Sequence, residues 1–287
     1  YSLTDPTAKP LAPSAVPSNS NGAPVTVETG ASVTIEGLTL TSSKTGLSCV
    51  GAGNQTKVRL LRTLIGENDI GILATSGCEL SVEQSWIGNE PQGRQANVFN
   101  AGNAIAMDLT STKFDLINSV LSNNKGMPAN FSGILIKSAT ATTPGRIVNS
   151  TFVSNDSLTT RKAMALDCQP ATGNISIVNS LFLDAAAPAG GTTYVHADCR
   201  STNQKYIGSN DTTLTGDNNI TDLVQSDVFV SPAGNDYSLK TSADSRVRDG
   251  GITQFIDGGK NIIPTVDISG NPRGTAKLSR GALEATR

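Results

Sequence analysis

Four ionisable residues, Asp108, Lys137, Asp167 and Asp198, each lie three positions beyond a recurring apolar anchor. Each falls in a short segment where apolar and polar residues alternate, which gives it outward parity on a strand with one buried face. His196 and Arg200 share the face of Asp198, and Gln169 lies beside Asp167. If these segments stack as consecutive strands, neighbouring members sit about 4.8 Å apart. Two carboxylates that close, Asp167 and Asp198, with His196 and Arg200 at their flank, could split their pKa values and hold one as a general acid. Roughly 5 Å is also the carboxylate separation of retaining glycosidases. Asp167, Asp198 and His196 are therefore the candidate catalytic residues. The same two carboxylates could instead bridge a Ca2+ ion, a hard cation that favours oxygen ligands; no other cofactor or metal is implied. Two readings need no reaction. Asp108, Lys137, Asp167, His196, Asp198 and Arg200 could form a ligand-binding face, or a solvated cross-coil charge ladder of little energetic weight.

Other polysaccharide-cleaving chemistries fail on their residues. A polygalacturonase set needs Asn-Thr-Asp, Asp-Asp, Gly-His-Gly and Arg-x-Lys, whereas the single histidine here, His196, stands in Tyr-Val-His-Ala-Asp. The Gln-Asp pair and Arg-Pro-Trp of pectin methylesterases are missing too. A lone Trp, here Trp86, is more often packed than a sugar platform.

The elements that must position these side chains follow from a repeat. Residues 116–124 read LINSVLSNN, 147–155 IVNSTFVSN and 177–184 IVNSLFLD. Weaker copies begin at Val33, Leu60 and Val82, and alignment puts Gly37, Arg62, Gln84, Asn118, Asn149 and Asn179 in one column with steps of 25, 22, 34, 31 and 30 residues. A second column pairs Gly46-Leu47, Gly71-Ile72, Ala104-Ile105, Gly133-Ile134, Ala163-Met164 and Tyr194-Val195, with steps of 25, 33, 29, 30 and 31. Two motifs keeping one variable period define coils that bury their inner faces only by stacking. The expected fold is all-β: a single right-handed parallel β-helix of about seven to nine coils of 22–34 residues, its hand set by the bias of parallel crossovers. Recurrent Asn118, Asn149 and Asn179 at a turn suggest a ladder of amides paired along the axis. Extra residues between the columns (89–103, 125–132 and 184–193) should project from one side of the rod.

Composition narrows the partners. Twenty-two basic and 24 acidic residues leave a net charge of -2 with no basic stripe, which argues against nucleic acid. No apolar run approaches the ~20 residues of a transmembrane helix. Cys49, Cys78, Cys168 and Cys199, spaced by 29, 90 and 31, match no zinc pattern. Their even number favours disulfides: Cys168–Cys199, four past the anchors of neighbouring coils, and as a further candidate Cys49–Cys78. Residues 1–24, with five prolines, read as a strap or linker, and 25–287 as the β-helix domain with a capping segment at about 217–287.

That last segment carries Phe229-Val-Ser-Pro-Ala-Gly-Asn-Asp-Tyr-Ser-Leu239, Asp249-Gly-Gly251, Asp267-Ile-Ser-Gly-Asn-Pro-Arg273 and Gly281-Ala-Leu-Glu284. It resembles the C-terminal signature of bacterial surface β-helix proteins of the choice-of-anchor Q domain type. The chain departs from that signature at Ser245-Arg-Val-Arg-Asp249 and at Arg280. The resemblance covers about residues 30–285 and implies a secreted, surface-associated bacterial protein, but no reaction. The expected role is a non-catalytic extracellular protein, structural, adhesive or glycan-binding, whose partner is an extracellular polysaccharide or a cell-surface glycan or protein. The alternative is a polysaccharide lyase or glycoside hydrolase acting through the Asp108–Asp198 face.

Overall fold

The computed structural model describes residues 22–41, 43–51, 55–75, 77–88, 105–124, 133–137, 145–153, 163–169, 175–185, 193–196, 199, 204–276 and 278–284. Among them the chain winds into a right-handed parallel β-helix whose coils each contribute one strand to each of three seven-stranded sheets. Sheet A holds Val25–Val27, Thr45–Cys49, Ile70–Ala74, Ile105–Thr110, Ile134–Lys137, Ala163–Gln169 and Thr193–Val195. Sheet B holds Ser32–Glu36, Thr56–Leu61, Cys78–Glu83, Lys113–Ile117, Gly145–Val148, Ile175–Val178 and Gln204–Lys205. Sheet C holds Thr39–Thr41, Leu64–Gly66, Trp86–Gly88, Val120–Ser122, Thr151–Val153, Leu181–Leu183 and Gly208–Ser209. The bridges Lys205–Asp217 and Gly208–Ile220 begin an eighth turn.

Alternation along each strand turns one set of apolar side chains into the bore. Leu60, Val82, Leu116, Ile147 and Ile177 form one register column in sheet B, all fully buried. Phe152 and Phe182 stack in sheet C with centroids 4.6 Å apart. Each fully buried aliphatic or aromatic side chain contributes about 1.5–3 kcal/mol, and the stack supplies what no single coil can. Leu214 joins the same core cluster from the turn after the last full coil.

The corner from sheet B to sheet C is two residues wide, and the first of them is left-handed. Gly37, Arg62, Gln84, Asn118, Asn149, Asn179, Tyr206 and Asn218 all adopt left-handed backbone there, with φ between 47° and 66°. This is the first repeat column, extended by Tyr206 and Asn218. Asn tolerates this conformation better than most side chains, which is why it recurs. The expected Asn amide ladder is corrected, since Asn179 Nδ2 to Asn149 Oδ1, at 3.4 Å, is its one rung among the described residues. The continuous ladder runs one residue later. The Thr63 amide donates to Ser85 Oγ, Ser85 to Ser119, Ser119 to Ser150 and Ser150 to Ser180, at 3.0–3.3 Å. Each Ser hydroxyl also donates to a carbonyl two residues back. Ser150→Ala removes the acceptor of the buried Ser119 amide, so a loss of about 1–3 kcal/mol is expected. Chemical denaturation checks this; an unchanged midpoint would mean water takes the hydroxyl's place.

The second column needs a correction as well. Strand pairing aligns Leu47, Ile72, Met107, Ile134, Leu166 and Val195, so the repeated pairs are Ala106-Met107 and Ala165-Leu166, not Ala104-Ile105 and Ala163-Met164. A slip of two residues preserves inward and outward parity, so alternation alone could not detect it. What fixes the register is space. A Cβ on Gly71 would lie 2.5 Å from the Ala106 carbonyl oxygen, and one on Gly133 2.1 Å from that of Ala165. Only the smallest residues fit where the chain crosses into sheet A.

Both disulfides are formed. Cys49 ends a sheet A strand and Cys78 opens the sheet B strand one coil further on, so this bond crosses the corner between sheets. Cys168 and Cys199 are bonded although they are not register partners. Leu166 pairs with Val195, a step of 29, whereas the disulfide spans 31 residues, and Cys199 arrives on a turn in which its amide donates to the His196 carbonyl at 2.9 Å.

The C-terminal segment runs along the flank of the rod. Phe229, Tyr237 and Leu239 cover Val120, Val153, Leu181 and Leu183, which point outward from sheet C yet are buried. Ile263 and Leu278 cover Val148 and Val178 of sheet B. Between them the chain returns to the left-handed corner and hydrogen-bonds its side chains. Gln84 Nε2 donates to the Asp267 carbonyl, Asn118 Nδ2 to Val266, Asn149 Nδ2 to Ser279 and Asn179 Nδ2 to Ile252. The corner amides thus hold the tail, and only Asn179 and Asn149 also join one another among the described residues.

Candidate functional site

The expected face exists on the outside of sheet A, with a different register. Asp108, Leu135 and Asp167 are direct partners on successive coils, and the His196 amide donates to the Leu166 carbonyl, which sets His196 beside Asp167. Lys137 belongs to the adjacent column, between Thr110 and Gln169. The single stack of Asp108, Lys137 and Asp167 at one strand spacing is therefore overturned. Asp108 and Asp167 are separated by a leucine, two spacings or about 9–10 Å apart. Asp198 and Arg200 lie outside the described residues, and with them the expected Asp167–Asp198 pair and its Ca2+ bridge.

Two polar groups result. In the first, Lys137 Nζ donates to Asp108 Oδ2 at 2.7 Å. Asp108 is only 6% exposed although it points away from the bore, and beside it Ile105 and Leu135 form a small buried cluster of their own. Asp108 Oδ1 has no hydrogen-bond partner among the described residues. In the second group, Gln169 Nε2 donates to Asp167 Oδ2 at 2.6 Å and His196 Nδ1 lies 3.8 Å from Asp167 Oδ1. Ammonium, amide, imidazole and carboxylate groups in a strip along the rod match the donors and acceptors of a hydroxyl-rich ligand.

The long connections lead into the strands of this same face. From sheet C to sheet A the first two connections are three residues each, Thr41 to Thr45 and Gly66 to Ile70. The later ones contain residues 89–104, 125–132, 154–162 and 186–192, all leading into the coils that carry Asp108, Lys137, Asp167 and His196. The insertion at 154–162 escapes the two repeat columns because its flanking motifs keep their spacing. The structure of these connections lies outside the described residues.

The cross-coil charge ladder is found on sheet B. Lys57 and Lys113 flank Glu79 at 3.2 and 3.7 Å, Arg59 grips Glu83 through Nε and Nη2, and Arg146 grips Asp115 through two nitrogens while reaching Asp257 at 2.8 Å. The hydrogen bond from Arg59 holds the Glu83 carboxyl below its ordinary range, and the bonds Arg146 donates to Asp115 raise the Arg146 pKa. These pairs are partly exposed and add little stability each. Lys57, Glu79 and Lys113 could be found from sequence only once the sheet B register was known. Trp86 lies on the outside of sheet C, donates Nε1 to Ser122 Oγ at 3.3 Å and packs against the tail cluster.

No group of three or more His, Cys, Asp or Glu side chains is placed to hold a metal among the described residues. No helix among them is long and apolar enough to cross a membrane. No family model, no curated protein and no solved structure matches the chain.

Proposed function

We propose that this is an extracellular, non-catalytic β-helix protein that binds glycan along the outer face of sheet A. The observation that carries the reading is the coincidence of the polar strip, Asp108–Lys137 and Gln169–Asp167–His196, with the long connections on the same four coils. A flat sheet face gives a ligand little burial, and insertions at one phase are where a solenoid builds the walls of a site. The two disulfides favour an oxidising compartment, and the tail signature supports a secreted, surface-associated protein. Binding without turnover fits the side chains better than a reaction, because Asp108 is already paired with Lys137, and Asp167 with Gln169.

Glycan arrays and a reducing-sugar assay on wild type and Asp167→Asn test this together. Wild type should bind a subset of polysaccharides and release no reducing ends. Asp167→Asn should bind at least about tenfold more weakly, a loss of ~1.4 kcal/mol, with an unchanged melting temperature. Release of reducing ends or unsaturated sugars by wild type, abolished in Asp167→Asn, would establish the hydrolase or lyase instead. Equal binding by both proteins would remove sheet A as the site.

A further inference from the structure

The tail buries two arginines, and among the described residues only Arg273 is paired with a carboxylate. Arg273 donates Nη1 to Glu284 Oε1 at 2.7 Å, Nη2 to Asn118 Oδ1 and to the Gly281 and Ala282 carbonyls, and Nε to the Val266 carbonyl. Arg280 is equally inaccessible, 3% exposed, but its guanidinium has one hydrogen bond, Nη1 to the Ile207 carbonyl at 2.8 Å, and lies 5.8 Å from the centre of the Tyr206 ring. Its Nε has no acceptor, and no carboxylate among the described residues forms an ion pair with it. The nearby Asp244 is occupied by Arg246, which takes it through the backbone amide, Nε and Nη2 and also reaches Asp222.

The placement of Arg280 is not a loose surface rotamer. Its amide donates to the Val247 carbonyl at 2.9 Å, and the next amide, Gly281, to the Asn179 carbonyl at 2.7 Å. The side chain then crosses Gly208, where a Cβ would stand 3.8 Å from Arg280 Cδ. Burial and the field of Arg246 push its pKa down to about 10, so the residue remains a cation at neutral pH. A buried cation is ordinarily paired, as Arg273 is.

We infer that Arg280, with Tyr206 and the Ile207 carbonyl fixing its plane and Arg246 at the rim, is a binding site for a small oxyanion: a sulfate, a phosphate or the carboxylate of an acidic sugar. The guanidinium fork offers parallel N–H donors matched to two oxygens of such a group. Asp222 and Asp244 beside Arg246 disfavour extended polyanions, so the ligand is a single anionic group. The site lies at the last coil of sheet C and is independent of the sheet A reading.

The test uses the whole protein labelled with 15N, following the Arg280 Nε–H resonance, assigned by its loss in Arg280→Lys. Sodium sulfate, sodium phosphate and sodium glucuronate are titrated separately, with sodium chloride at matched ionic strength as the control. At least one oxyanion should shift the resonance saturably in the millimolar range while chloride does not, and the three salts tell sulfate, phosphate and carboxylate apart. Amide shifts around Tyr206–Gly208 should follow the same curve, and in Arg280→Lys that curve should weaken by about tenfold or more. Arg246→Gln, which leaves Arg280 in place, should weaken it several-fold and stands as the second variant if Arg280→Lys does not fold. Linear shifts shared with chloride, or equal affinity in wild type and Arg280→Lys, would overturn the site.

Discussion

Arg273→Ala is expected to melt roughly 10 °C below wild type. The side chain holds Glu284, Asn118 and four tail carbonyls at once, and its removal leaves the Glu284 carboxylate buried without a counter-charge. Breaking a buried ion pair on one side costs about 3–5 kcal/mol, and each kcal/mol shifts the midpoint of a domain approaching this size by roughly 2–4 °C. The loss does not stay local. Asp267, which accepts hydrogen bonds from the Ser269, Asn271 and Glu284 amides, is tied into the same knot, so the tail loosens as a unit. The outward leucines and valines of sheet C then meet water, and the variant should bind a hydrophobic dye that wild type ignores. A melting temperature within 2 °C of wild type would mean the tail is held by its apolar contacts alone. Arg273→Lys separates charge from geometry: a lysine restores the cation but not the six-way fan of bonds, and most of the loss should remain.

Reduction is expected to do comparable damage by another route. The disulfides close loops with separations of 29 and 31 residues, and the chain-entropy model assigns each about 3–4 kcal/mol through the unfolded state. Non-reducing mass spectrometry of the native protein should find no free thiols. Cys168→Ala/Cys199→Ala should lower the denaturation midpoint and speed amide exchange in the last two coils first, because repeats in a solenoid contact only their neighbours. Cys49→Ala/Cys78→Ala should do the same at the second and third coils. Uniform loss of protection across the chain in either variant would show that the coils do not open separately.

The fold was legible because one corner is only two residues wide. A position that must take left-handed backbone and a next one that must be small and polar leave the Asn-Ser signature, and that signature alone phases the sheet B and sheet C strands. The sheet A register was less legible. Its anchors follow connections of variable length, and Ala104-Ile105 and Ala106-Met107 have the same chemistry and the same parity. Choosing between them needs the clash at Gly71 and Gly133, which exists only in three dimensions. The candidate site inherited this error: Lys137 moved to the neighbouring column and His196 came to Asp167. The Arg273–Glu284 knot was invisible for a different reason. Its members lie up to 155 positions apart in the chain, from Asn118 to Arg273, and no local pattern marks them.

The tail also changes what kind of material the rod is. A bare solenoid behaves like a stack of coins, each disc held by the two it touches, so a pull along the axis or a warm end sheds discs singly. Here one strip of chain is fastened to five successive discs at the same edge, through Gln84, Asn118, Asn149, Asn179 and Ile207. No one of them can leave without tearing the strip, and tension applied at the end is spread over all five. The molecule is therefore a rivetted beam, stiff over the coils that carry the polar strip.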